Sequence, residues 1–407
     1  METTFFSMEF NFLSSLFLFA TPLFLLFVAC KYFTSVTNLP PGPRPWPIIG
    51  NMHQMAKNPH IAAANFAMKY GPLISLRLGK VVKIEELIFT TLINTLSNIL
   101  FSKDFLDLKD VQTAHLLKFR LLKMLKNSVT PNVSDFFPIV GGLDLQGLRR
   151  DSLHHYDELS RITEAIVKER RAQSAKKVVL ADHEKDFLDR LLENNFTTAQ
   201  INTLVVELFT AGTETVVTAT EWAMAEFLKN KEIMCKVREE LTRELNTKNI
   251  MKSDLSKFTY FNACIKETLR FHPVVPVLIP RRALEPCEVM NYTIPQNAQV
   301  WVNVWAISHD PKVWEDPYTF KPERFLGSNI DFTGHDFEFI PFGGGRRMCP
   351  GLPSGVKSLQ TMLASLIVGY NWSLPNGEDP AKLDMTEKFG VTLQKEKPLE
   401  LIFCRRE

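Results

Sequence analysis

Residues 199–230, "AQINTLVVELFTAGTETVVTATEWAMAEFLKN", carry the longest helical pattern in the body of the chain. At 1.5 Å per residue such a helix spans roughly 45 Å, enough to run through a whole domain. It is apolar over much of its surface, so it must be buried and the rest of the body must pack around it. Its centre is unusual. Gly212 and the threonines Thr210, Thr213 and Thr215 weaken the helix where it should be strongest. Close packing on another helix through a small-residue patch would account for this. So would a groove in which Glu214 and Thr215 face a ligand. On these residues alone the packing reading is the simpler.

The flanks follow the same periodicities. Thr197–Thr198 can cap the start of the long helix. Further helices are expected at 84–100, in several segments through Lys177, at 231–245, at 254–271 and at 353–370. Strand-like runs fall at 70–79 and 274–304. The fold class is therefore mainly α with small β-sheets (α+β). In the 254–271 helix, Glu267 and Arg270 stand three apart and can pair, which by itself describes a solvated surface feature worth little.

The N-terminus sets the organisation. Leu13 to Phe33, "LSSLFLFATPLFLLFVACKYF", is long enough to cross a bilayer. Glu2 and Glu9 precede it without any Lys or Arg, whereas Lys31, Arg44 and Lys57 follow, an asymmetry that orients the remainder toward the cytosol. A cleaved signal peptide would have a shorter apolar core and a basic start. The expected layout is a lumenal segment 1–12, a transmembrane anchor 13–33, a proline-rich hinge 34–47 holding "LPPGPRPWP", and a cytosolic domain 48–407. The lipid bilayer is thus one partner. A formal net charge of +2 gives no support for nucleic acid as another. Six cysteines are scattered with no CxxC pair, which argues against a zinc knuckle or a disulfide framework; most are expected to be plain buried thiols.

One cysteine stands apart, in "PFGGGRRMCPG" (341–351). Neither GxGxxG nor GxxxxGK[ST] is present, so the loop is not a phosphate fingerprint. A nucleophilic cysteine would want a histidine base, and no histidine sits in a partner motif. A single thiolate ahead of a buried helix, with glycines leaving room for a flat group, suits axial ligation of haem iron.

The loop resembles the haem-binding signature F-x-x-G-x-R-x-C-x-G of the cytochrome P450 family, with Phe342, Gly345, Arg347, Cys349 and Gly351 at every fixed position. "AGTET" (Ala211 to Thr215) is similar to the family's acid–alcohol motif, with Glu for the commoner Asp. Glu267-Thr268-Leu269-Arg270 is similar to E-x-x-R, Pro322-Glu323-Arg324-Phe325 to P-E-R-F, and "PPGP" to the hinge after the microsomal anchor. The resemblance implies a P450 fold holding haem b (heme b, iron protoporphyrin IX). Cys349 is then the iron's axial ligand. Phe342, Gly345, Arg347 and Gly351 lie around it, Ala211 and Gly212 on the opposite side, and Arg281 at a propionate. It implies that Glu267, Arg270 and Arg324 form a buried network, and that Thr215 and Glu214 relay protons to bound oxygen. NADPH acts only indirectly, through NADPH-cytochrome P450 reductase, at the endoplasmic reticulum membrane.

Within the family the chain resembles plant alkaloid oxidases of the N-methylcoclaurine hydroxylase, berbamunine synthase and littorine mutase group, with the geraniol hydroxylase group second. The resemblance also exposes a shortfall of roughly a hundred residues. After "GPLISLRLGKVV" the family continues to a W-x-x-x-R helix that binds a haem propionate, yet no tryptophan lies between Trp46 and Trp222. The P450 fold is therefore expected to be incomplete, with an apparent deletion near 82–83. Two readings follow. One is a haem-thiolate monooxygenase oxidising a small, largely apolar plant metabolite, an alkaloid or a monoterpenoid, at an unspecified position. The other is a non-catalytic truncated remnant lacking stable haem.

Overall fold

The computed structural model describes residues 81–106, 111–140, 142–174, 185–244 and 255–406. The anchor 13–33, the hinge 34–47 and the expected strand at 70–79 lie outside the described residues. The chain divides into two compact units, 1–81 with 375–377 and 82–374 with 378–407, and the second carries every candidate site residue.

In chain order the helices are α1 (Ile84–Phe101), α2 (Val111–Val129), α3 (Val133–Phe136), α4 (Leu148–Ser174) and α5 (Phe187–Glu193). Then come α6 (Thr198–Lys229), α7 (Lys231–Glu244), α8 (Thr259–Phe271), α9 (Val304–Ser308) and α10 (Leu352–Gly369). The strands are short: β1 (Val81–Lys83), β2 (Arg281–Arg282), β3 (Cys287–Val289), β4 (Tyr292–Ile294), β5 (Gln299–Val300), β6 (Tyr370–Ser373), β7 (Glu387–Lys388), β8 (Gln394–Lys395) and β9 (Glu400–Arg405). One sheet has the order β1-β9-β6; β2–β5, β3–β4 and β7–β8 are separate antiparallel pairs.

The long helix α6 starts where Thr197 caps it. The Gln200 amide N–H donates to Thr197 Oγ1 (3.3 Å), and the Thr197 N–H donates to Gln200 Oε1 (2.9 Å). This closes a capping box that satisfies two otherwise orphaned donors. Every residue from Val216 to Leu228 is buried, because α1, α2, α4, α7, α8 and α10 all pack on this helix. The mid-helix threonines are tolerated because each hydroxyl donates back one turn: Thr210 to Val206 O (2.7 Å), Thr213 to Phe209 O (2.6 Å) and Thr215 to Ala211 O (2.8 Å). Helix α1 is the one helix among the described residues long and apolar enough to cross a membrane. It buries Ile84, Ile88, Phe89, Leu92, Ile93, Leu100 and Phe101 in the core, which makes it an interior helix.

The expectation for the cysteines is corrected. Of the five described, Cys264 is buried, but Cys235, Cys287, Cys349 and Cys404 are exposed. Cys287 illustrates the reason. It lies on the two-stranded β3–β4 pair, where all three β3 residues are exposed and no layer covers the strand.

Burying α6 also buries acids. Glu221 accepts a hydrogen bond from the Leu399 N–H (2.7 Å), and burial pushes its pKa up to about 7. A carboxyl whose pKa is raised on folding binds more protons folded than unfolded between its ordinary value and the raised one. Stability is then lost as pH climbs toward 7 and is level above. Glu221→Gln, which keeps the acceptor for Leu399, is expected to stabilise the chain at pH 8 by at most about 3 kcal/mol and to do little at pH 5. Thermal unfolding of both chains at the two pH values measures this. An equal effect at both would refute the assignment.

Candidate functional site

The cysteine loop is fixed by its own backbone. The Cys349 N–H donates to Phe342 O (3.0 Å), the Met348 N–H to Gly345 O (3.1 Å), and Gly345–Arg347 form a 3-10 turn. Gly343 (φ +73°) and Gly345 (φ +68°) occupy left-handed conformations that a side chain would strain, which accounts for two of the glycines. Phe342 anchors the loop by packing edge-on to Phe332, with ring centroids 5.8 Å apart. A Cβ on Gly351 would lie 3.7 Å from Cys349 Sγ, so this glycine sits directly beside the thiol. Cys349, Arg346 and Arg347 are exposed. From β2, Arg281 donates Nη2–H to Arg347 O (3.1 Å), bringing a second predicted side chain to the loop. Helix α10 begins three residues after Cys349 and packs along α6, placing loop and long helix in one core.

On α6 the predicted residues separate into three environments. Ala211 is exposed and Thr215 half-buried, one turn apart, on a helix otherwise covered from Thr213 to Leu228. Gly212 faces α1, where a Cβ would come within 3.2 Å of Leu96 Cδ1, so its smallness serves helix packing. Glu214 turns inward at 3 % exposure. Gln394 of β8 donates its amide N–H to Glu214 Oε1, while Oε2 has no partner among the described residues. Burial pushes the Glu214 pKa up to about 7; Lys118 pulls it down and Glu85 adds to the rise. The packing reading of the weak mid-helix holds for Gly212; Ala211 and Thr215 are left uncovered, and Glu214 is buried.

The Glu267–Arg270 pair is fully buried, not a surface bridge. Arg270 donates Nε–H and Nη2–H to the two Glu267 oxygens, each at 2.8 Å. Arg324 Nε approaches the same carboxylate at 3.1 Å, and the Lys321 N–H donates to it at 2.8 Å. Arg270 Nη1–H also donates to Ser308 O (2.7 Å) and Pro317 O (3.0 Å). A buried charge cluster persists only when its hydrogen-bonding capacity is filled, as here.

Gln394 and the Lys118–Glu85 pair were not legible as site residues. Gln394 lies 180 positions from Glu214, in a stretch without any motif.

This helical architecture with four small sheets is that of cytochrome P450 structures. A zebra fish cytochrome P450 structure with abiraterone superposes with a TM-score of 0.64 over 80% of this chain and 73% of that one, at 23% identity. A progesterone-containing structure from the same organism gives 0.65 over 80% and 72%, also at 23% identity. The chain belongs to the cytochrome P450 family, whose sequence model ("Cytochrome P450") matches residues 79–403. It is 38% identical over 462 residues to a probable (S)-N-methylcoclaurine 3'-hydroxylase isozyme 2 of Coptis japonica, covering 91% of this chain and 94% of the relative. It is 36% identical to corytuberine synthase of the same plant (91% and 94%) and 35% identical to geraniol 8-hydroxylase of Swertia mussotii (93% and 96%). The first of these alignments is longer than the 407 residues of this chain, so that relative has internal positions without a counterpart here. Its membership makes the chain a monooxygenase by family and implies a haem iron cofactor.

Proposed function

We propose that this chain is a haem-thiolate monooxygenase of small, largely apolar plant metabolites, and that its substrate is an alkaloid. The observation that carries the reading is the exposed Cys349 thiol on a loop fixed by its own backbone, joined through α10 to the helix that leaves Ala211 and Thr215 uncovered. These residues fit haem b. Cys349 would ligate the iron, and Arg281 and Arg347, tied to each other, would meet its acidic edge. Ala211, lacking bulk, lets a flat group approach the helix. Bound there, the haem iron supplies oxygen activation with electrons that we assign to NADPH through cytochrome P450 reductase. Thr215 holds a proton at Oγ1, which now donates to Ala211 O and would turn toward the uncovered flank. Glu214, raised toward neutrality by burial, is the acid that resupplies it.

The relatives' names support both an alkaloid and a monoterpenoid substrate, and the alkaloid reading rests on the first five of them. We assign the chain to the endoplasmic reticulum membrane, anchored once by residues 13–33 with the body in the cytosol. We place the internal deletion at 82–83, which the excess alignment length supports.

The test is the reduced, carbon-monoxide-bound spectrum of the full chain in microsomes, followed by substrate-difference spectra with N-methylcoclaurine and geraniol. A red-shifted Soret band and a spectral response to the alkaloid are expected. Absence of haem uptake by folded chain would show a non-catalytic remnant, and a response to geraniol alone would move the substrate class to monoterpenoids.

A further inference from the structure

Glu214 is the least conventionally placed residue of the site. Its neighbour Thr215 is half-buried, yet Glu214 points into the interior, where Gln394 holds Oε1 and Oε2 is left without a partner among the described residues. One turn on, the buried Thr218 hydroxyl makes no hydrogen bond of ordinary geometry but lies near enough to favour the charged carboxyl. Charged side chains reach this region from the neighbouring helices. Helix α1 contributes Glu85 and α2 contributes Lys118, which contact each other with side chains 20% and 12% exposed. Farther along α6, Glu221 bonds to Leu399, and Lys395 sits over Trp222 at 5.0 Å.

We propose that Gln394 is the positioning residue for Glu214, holding its carboxyl on the interior flank of α6. There it sits within the charge influence of Lys118 and Glu85. The assignment rests on the monooxygenase reading for its purpose but not for its geometry. Donation from Gln394 to Oε1 leaves Oε2 to carry the proton, and it fixes which flank of the helix the acid samples. Held there, the acid stays off the exposed flank of Ala211.

The carboxylic C=O infrared band of Glu214, identified by its loss in Glu214→Gln and titrated in full-length chain in nanodiscs, tests this with or without haem. In Gln394→Leu the band should move to higher frequency and its titration midpoint should rise, because a donor to the charged form is gone. Lys118→Met should also raise the midpoint, and Glu85→Gln should lower it. In haem-loaded chain, Gln394→Leu should reduce kcat while leaving KM in place. A merely structural Gln394 would lower melting temperature and leave the midpoint where it was; that result overturns the proposal. So does a Glu85→Gln midpoint that stays or rises, even should Gln394→Leu fail to fold. A chain that never takes up haem overturns the monooxygenase reading instead, and the infrared titration still decides the role of Gln394.

Discussion

Cys349→Ser is expected to abolish turnover and the red-shifted carbon monoxide band while leaving the fold intact. The loop is held by backbone bonds, Cys349 N–H to Phe342 O and Met348 N–H to Gly345 O, and by the seat of Phe342 on Phe332. None of these uses the sulfur. The substitution is nearly isosteric at an exposed position, so its stability effect should fall within about 0.5 kcal/mol. What changes is the donor. A neutral hydroxyl does not supply the electron density that a thiolate gives to iron. The paired measurements are the reduced spectrum and the melting temperature. Retention of the thiolate-type band by the serine chain would rule out Cys349 as the ligand, and loss of folding would show that the thiol has a structural duty.

Arg270→Met should have the opposite signature, with the chain failing to fold at all. Arg270 is fully buried, and its guanidinium serves both Glu267 oxygens together with the carbonyls of Ser308 and Pro317. Among the described residues, removing it leaves the buried carboxylate facing Arg324 and the Lys321 amide alone. Breaking one side of a buried ion pair costs about 3–5 kcal/mol, and each stranded carbonyl adds about 1–3. The total, about 5–11 kcal/mol, is most or all of a domain stability of about 5–15 kcal/mol. The measurement is the yield of protease-resistant chain on expression beside wild type. Arg270→Lys keeps the charge but loses the planar fork and should fall between the two. A well-folded Arg270→Met chain, melting within a few degrees of wild type, would show that the network is not what holds this end of the core.

Period and capping located α6 to within a residue at each end, because a long buried helix writes its pattern locally and Thr197 supplies its own cap. The cysteine loop was legible because its chemistry is confined to eleven consecutive residues. The buried state of Glu267–Arg270 was not legible from spacing, since an i,i+3 pair looks the same on a surface; the family resemblance supplied it. The run at 274–304 broke into four short strands and α9, with Leu278, Met290, Asn291 and Asn297 at left-handed φ marking turns that a β-branched pattern conceals. The inward aim of Glu214 was beyond reach for a different reason. It depends on Gln394, and nothing local to either residue announces the other.

The long helix has a further consequence, for the order in which the molecule comes into being. Trp222 donates to Leu393 O and Glu221 accepts from the Leu399 N–H, partners 171 and 178 positions downstream. On the ribosome the helix is made midway, but its polar groups stay unsatisfied and its apolar surface uncovered until those residues emerge. At translation speeds of about 5–20 residues per second that interval is roughly 10–35 s. The element around which everything packs is therefore among the last to be completed. A nascent chain of this protein has most need of chaperone shelter in that interval, before the β7–β8 and β9 segments arrive.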